Sequence, residues 1–231
     1  GATAIPDATG TAYTLTSDDI GHYLSIEITP SNGIISGAPQ KSIYTGVIEQ
    51  QFAGGLGTPD DPYLISTLGH LKSVSDCPGA YFRLDADINT DALDQSLCSS
   101  SSPFTGNFNG NNKIIKIEIT DASANGVGLF SFIGSGGTVY DLKVEGSAAG
   151  SASNVGVGGL AGYSEGTIER CTSAVAVSAS GDTVERSSVG GLIGYNAGRV
   201  LDSSATGTVT AAAASENIYA GGLIGYNTEA D

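Results

Sequence analysis

Gly191-Leu192-Ile193-Gly194-Tyr195-Asn196 returns further along the chain as Gly222-Leu223-Ile224-Gly225-Tyr226-Asn227, and stands earlier, in shorter form, as Gly159-Leu160-Ala161-Gly162-Tyr163 and Gly128-Leu129-Phe130. From one leading glycine to the next the intervals are 31, 32 and 31 residues. A fixed period in this range means a chain that coils on itself, each turn burying against the next an apolar face it could not bury alone. The expected fold is all-β, a β-solenoid (β-helix) with coils of about 31 residues.

In a solenoid, equal offsets in successive coils lie above one another at about 4.8 Å, the separation of neighbouring strands. One position after the leading glycines stand Leu129, Leu160, Leu192 and Leu223, and three residues further on Phe132, Tyr163, Tyr195 and Tyr226. A second strand repeats the logic, because Val139, Ile168 and Val200 align, and so do Leu142, Cys171 and Ser203 three positions later. Glycine is expected where backbones crowd or φ turns positive, leucine in the core, and each aromatic ring on its copy. Val175-Ala176-Val177 and Thr206-Gly207-Thr208-Val209-Thr210 are short, rich in β-branched residues and free of helical apolar spacing, so they read as strands.

These repeats resemble the GLUG-motif family, which occurs in bacterial surface proteins, adhesin-like chains and some immunoglobulin A peptidases. Upstream, Phe52-Ala53-Gly54-Gly55-Leu56-Gly57-Thr58-Pro59-Asp60-Asp61-Pro62-Tyr63-Leu64-Ile65 looks like the stretch that opens such β-helical regions. Tyr81-Phe82-Arg83-Leu84-Asp85-Ala86-Asp87-Ile88 and Phe104-Thr105-Gly106-Asn107-Phe108-Asn109-Gly110 fit the family's irregular first coils. The resemblance implies a β-helix in an exported protein and brings no defined catalytic site. Residues 128–231 are then the repeats proper, and residues 49–127 the cap helix and first coils.

Residues 1–48 have a different texture. From Thr11 to Thr29 apolar and polar residues alternate as half-buried strands do, around a Ser-Asp-Asp-Ile-Gly turn. The stretch resembles the later half of a bacterial immunoglobulin-like module, a small β-sandwich, whose earlier half is missing. A half-sandwich of fewer than about 50 residues cannot bury enough surface to stand alone, so it is expected to lean on the first coil or to be completed by strands from elsewhere. Residues 46–51 read as the junction.

Between the two parts, Ile65, Leu68, Leu71 and Val74 are spaced as one face of a helix. Its expected task is to cover the open first coil, since an uncapped solenoid end exposes unpaired backbone groups. No such cap follows the fourth repeat, and either a continuing parent chain or another molecule is expected to stack there. The 231 residues include 34 glycines and no Trp or Met, which suits a narrow coil and a processed or excised piece of a longer protein. No segment reads as a signal peptide or a membrane span, so no direct membrane insertion is expected.

A net charge of -15 with only nine Lys and Arg argues against nucleic acid, because phosphate binding needs clustered cations. The same acidity suits solubility outside the cell. Cys77 and Cys98 enclose about 20 residues and are expected to form a disulfide worth roughly 3 kcal/mol, whereas Cys171 reads as a small buried hydrophobe. Gly162-Tyr163-Ser164-Glu165-Gly166 matches the nucleophile elbow in letters, but no strand-to-helix context follows and both histidines, His22 and His70, lie upstream. Asp85, Asp87, Asn89 and Asp91 alternate like the start of a calcium loop, yet Thr90 and Ser96 stand where glycine and glutamate are required. A looser calcium site on these residues, or on Asp60 and Asp61, is the alternative to plain turn formation.

The expectation is therefore a non-enzymatic structural or adhesive segment of an exported, bacterial-type cell-surface protein, with no catalytic or cofactor-binding residues. Its partners would be other protein molecules or a surface ligand such as a glycan stacking on Tyr140 or Tyr219. The alternatives are a filament or sheath subunit stacking through open solenoid ends, a β-helical polysaccharide-active enzyme, or the non-catalytic part of a surface peptidase. Against the polysaccharide enzyme, the acids Asp141, Glu169 and Asp202 are not expected to gather with other carboxylates and basic residues at one level.

Overall fold

The structure, a computed structural model, describes residues 3–6, 8, 10, 12–14, 19–45, 51–151, 155–181, 187–213 and 218–228. The chain forms two compact units, Gly1–Gln51 and Phe52–Asp231.

In the first unit, Glu27–Ile28 pairs antiparallel with Gln40–Lys41, and the N–H groups of Ser42 and Thr45 continue the ribbon onto the carbonyls of Ile26 and Leu24. Ser31 bridges Ser36 near the tip, where the Asn32 side chain accepts from the Ile34 and Ile35 N–H groups. Among the described residues between Thr11 and Thr29 the one strand longer than a single bridge is Glu27–Ile28, while Thr11, residues 15–18 and, of the junction at 46–51, residues 46–50 lie outside the described residues. Ile34 and Ile43 are each 91% exposed, and no apolar side chain is buried among the described residues of this unit. Two strands alone bury too little to make a core.

The second unit is the expected all-β solenoid with a single short helix, its coils closing through four parallel walls. The first wall stacks Tyr63–Ile65, Tyr81–Leu84, Asn107–Asn109, Thr138–Tyr140, Thr167–Glu169 and Arg199–Leu201. Beside it the second wall stacks Ile88–Leu93, Ile114–Asp121, Lys143–Gly150 and Thr172–Gly181, the last paired along its length with Ser204–Ala205 and Val209–Ala213. Gly126–Val127, Gly156–Gly158, Ser187–Gly190 and Ile218–Gly221 make the third wall. Phe130–Ile133, Ala161–Ser164, Ile193–Asn196 and Ile224–Asn227 make the fourth. Pairing runs unbroken from Tyr63 to the last coil, so the irregular first coils and the repeats share one core.

The register matches the sequence period. Phe132, Tyr163, Tyr195 and Tyr226 are paired in succession, as are Val139, Ile168 and Val200. Leu129, Leu160 and Leu192 are fully buried, and Leu223 packs against the same core from the last coil. Along the first wall the inward column runs Tyr63, Phe82, Phe108, Val139, Ile168, Val200, aromatic at the start and aliphatic later. The wide first coils are filled by Phe82, Phe104, Phe108 and Phe130, whose rings lie 4.8 to 6.4 Å apart.

The helix is shorter than the spacing implied. Ile65 ends a strand, α1 spans Leu68–Lys72, and a tighter 3-10 turn, Ser73–Asp76, carries Val74 inward. Thr67 caps α1 by accepting from the His70 N–H at 3.2 Å. Ile65, Leu71 and Val74 are all fully buried, so the apolar face was read correctly although three backbone conformations supply it.

Candidate functional site

Third and fourth walls touch backbone to backbone, and this explains the glycines of the repeat. A Cβ on Gly194 would lie 2.4 Å from the Val157 nitrogen, and one on Gly225 would lie 2.5 Å from the Val189 nitrogen. On Gly162 it would lie 2.5 Å from the Gly126 Cα. Each fourth-wall glycine therefore rests on the third-wall strand of the coil before, with no room for a side chain.

Outside that contact runs the ring stack. Phe132 and Tyr163 centroids are 5.8 Å apart at 13°, and the Tyr163–Tyr195 and Tyr195–Tyr226 steps are both 5.3 Å. The rings are half-buried, and burial, with the neighbouring Tyr195, raises the Tyr163 phenol above its ordinary range. At the last coil Tyr219 turns its ring onto Tyr226, at 4.8 Å, and Tyr140 is half-buried on the first wall. One step along each fourth-wall strand, Ser164, Asn196 and Asn227 share a column. The Asn196 amide donates to the Asn227 side-chain oxygen at 2.7 Å and to the Gly198 carbonyl at 3.0 Å. Ser164 is buried in this column, with its hydroxyl unpartnered, and the elbow-like letters around it mark the end of one strand and the bend into the next strand, Thr167–Glu169.

The corner between first and second walls is a stack of left-handed residues, Asn112, Asp141, Arg170 and Asp202, with φ between 47° and 57°. Asn112 donates its N–H to the Asp141 carbonyl, Asp141 to Glu169 and Arg170 to Leu201, so the corner bonds coil to coil. The Arg170 guanidinium forks onto Asp141, with Nε at 2.7 Å and Nη2 at 3.2 Å, and its Nη1 pairs with Glu169. Asp141 and Glu169 thus do gather around a base, contrary to the sequence expectation, because the left-handed corner turns Arg170 back toward the coil before it. These charges are matched to one another: the hydrogen bond that Arg170 donates to Asp141, then the fields of Asp141 and Asp202, raise the Arg170 pKa against its partial desolvation.

The calcium candidates do not converge. Asp85 lies 3.7 Å from the Arg83 guanidinium, and Asp87 accepts the Ile114 N–H of the next coil at 2.9 Å. Asn89, Thr90 and Asp91 are all exposed in the strand Ile88–Leu93, whose pairing with the next strand shifts register between Ile88 and Leu93. Among the described residues no group of three His, Cys, Asp or Glu could hold a metal ion, Asp60 and Asp61 included. The bridge expected between Cys77 and Cys98 is not made either, and all three cysteines are free thiols. Cys98 has φ 58° and is held through its N–H to the Ser75 hydroxyl, with the sulfur in an environment that pushes its pKa up to about 11 by burial. Cys171 is buried as read, and desolvation pushes it up to about 12.

What sequence reasoning missed are the Phe cluster, the carboxylate–guanidinium corner and which strand the crowded repeat glycines rest on. Only the first left a legible trace, Phe82 and Phe108 falling 26 residues apart, and Phe104 and Phe130 likewise.

Residues 185–210 match the GLUG motif. Over 196 residues, 74% of the chain, the protein is 30% identical to halomucin of Haloquadratum walsbyi. Over 105 residues, 41% of the chain, it is 37% identical to a protein of Evansella cellulosilytica described as a Gly-rich membrane protein. The matches span 2% and 12% of the length of these two relatives. Among solved structures, a Bacteroides ovatus protein assigned as an immunoglobulin A1 protease superposes with a TM-score of 0.51 at 18% identity, covering 77% of this chain and 56% of that one. At that identity the likeness is one of fold. No helix among the described residues is long and apolar enough to cross a membrane.

Proposed function

We propose that the chain is a non-enzymatic structural segment of an exported cell-surface protein, a stalk or adhesive element, and that its first unit is part of an immunoglobulin-like module completed by strands from elsewhere. The observation that carries this reading is the use made of the polar side chains. Asp87, Asn196, Arg170 and Asp141 each bond one coil to the next, and Ser164 is sealed inside a strand column. Catalysis needs such groups free and convergent on a substrate. A match to 2% and 12% of two larger relatives supports a segment of a long protein, and the acidity of -15 supports an aqueous, extracellular setting. Adhesion would use the exposed edge of Tyr219 and the half-buried ring stack, toward another protein or a glycan.

The test is to incubate the full chain with immunoglobulin A1 and with acidic polysaccharides, and to probe it on arrays of glycans and matrix proteins. No cleavage of any substrate is expected. Turnover of either class would overturn the reading, while specific array binding would select adhesion over a purely supporting role.

A further inference from the structure

The two ends of the solenoid are not alike. At the first coil, Leu64 is bonded on its outer side, donating to the Gly54 carbonyl and accepting from the Ala53 N–H. Helix α1 packs on Ile88–Leu93, and Leu97 and Phe104 bridge the first fourth-wall strand at Phe130 and Ile133. That end is closed. At the last coil, Val200, Leu223 and Ile224 are half-buried where their predecessors Ile168, Leu192 and Ile193 are fully buried.

Gly222 says what belongs over this open end. A Cβ on Gly128 would lie 2.5 Å from the Gly158 carbonyl oxygen, one on Gly159 2.8 Å from that of Gly191, and one on Gly191 2.3 Å from that of Gly222. The leading glycine is required because the next coil lays a carbonyl there. On Gly222 a Cβ would meet nothing within 4 Å, and Gly222 is exposed. Among the described residues its glycine serves no contact. The Asn column has the same feature: Asn196 hands its amide to Asn227, and Asn227 is exposed at the end of the row.

We infer that the face formed by Gly222, Leu223, Tyr226 and Asn227 is a template for one more parallel coil of the same repeat. That coil would place a backbone carbonyl over Gly222, an apolar side chain over Leu223, a ring over Tyr226 and an Asn or Ser over Asn227. A second copy of the chain stacking head to tail does not supply it, because at the closed first coil Leu64, Phe130 and Ile133 are already bonded on that side and α1 covers Ile88–Leu93.

The experiment inserts a duplicate of residues 198–228 directly after Thr228 of the full chain, so that the copy continues the repeat in register. The added coil raises Tm by about 5 °C or more, since each repeat contributes its own interface to a solenoid. Gly222→Ala leaves Tm of the unextended chain unchanged but abolishes the gain in the extended one, and Asn227→Ala reduces it. The inference is overturned if the appended coil leaves Tm unchanged, or if the gain survives Gly222→Ala. It is equally overturned if the unextended chain dimerises in solution through a surface that Gly222→Ala disrupts.

Discussion

A single methyl group measures how closely the third and fourth walls approach. On Gly158 it would lie 2.2 Å from the Ala161 oxygen and 2.7 Å from the Gly194 nitrogen, both backbone atoms that cannot yield. Gly158→Ala should therefore destabilise the second unit by about 3 kcal/mol, the upper end of what overpacking costs; a denaturation midpoint unchanged from wild type would contradict it. The thiols give a second measure. Cys98 and Cys171 stay protonated in the fold up to about 11 and about 12, whereas in the unfolded chain they ionise near 9.0. Their contribution to stability is thus complete below pH 9 and is lost as pH climbs through those values. Thermal melts from pH 8 to pH 11 should show a decline that is flattened in Cys98→Ala and Cys171→Ala. Alkylation of native Cys98 should run roughly 100-fold slower than that of a free thiol, in proportion to its thiolate fraction.

Among the elements, α1 is too short to be stable by propensity and exists because Leu71 is buried in the end of the stack. Leu71→Ala should cost about 3 kcal/mol, and Thr67→Ala about 1 kcal/mol through the lost cap on His70. Hydrogen exchange distinguishes cap from scaffold: in both variants protection should fall first in Leu68–Lys72 and in the strand Ile88–Leu93 beneath it. Equal loss throughout the four walls would mean that α1 is not a separable lid. Sequence periodicity located this element but not its boundaries, because strand, helix and 3-10 turn can each present one of Ile65, Leu71 and Val74 to the same core.

At the scale of the whole molecule the charge of -15 opposes compaction, and among the described residues Asp85, Asp94, Glu118, Asp141 and Glu169 form ion pairs. Raising salt from about 0.05 M to about 1 M shortens the Debye length to roughly 3 Å and should raise Tm by a few degrees. A falling Tm would show that the exposed pairs, such as Lys72 with Asp94 and Lys116 with Glu118, outweigh the repulsion. Coil stacking, the register of the Leu and aromatic columns, and the burial of Cys171 were all determined by the sequence alone, since equal spacing along the chain becomes equal height in a stack. The unlike ends were legible too, in the apolar spacing of Ile65, Leu68, Leu71 and Val74. Only the tertiary structure decided that fourth-wall glycines rest on the preceding coil, that Arg170 reaches Asp141, and that Cys77 and Cys98 are free thiols. Each of these depends on how closely backbone segments a full coil apart approach in space, a distance that no spacing along the chain encodes.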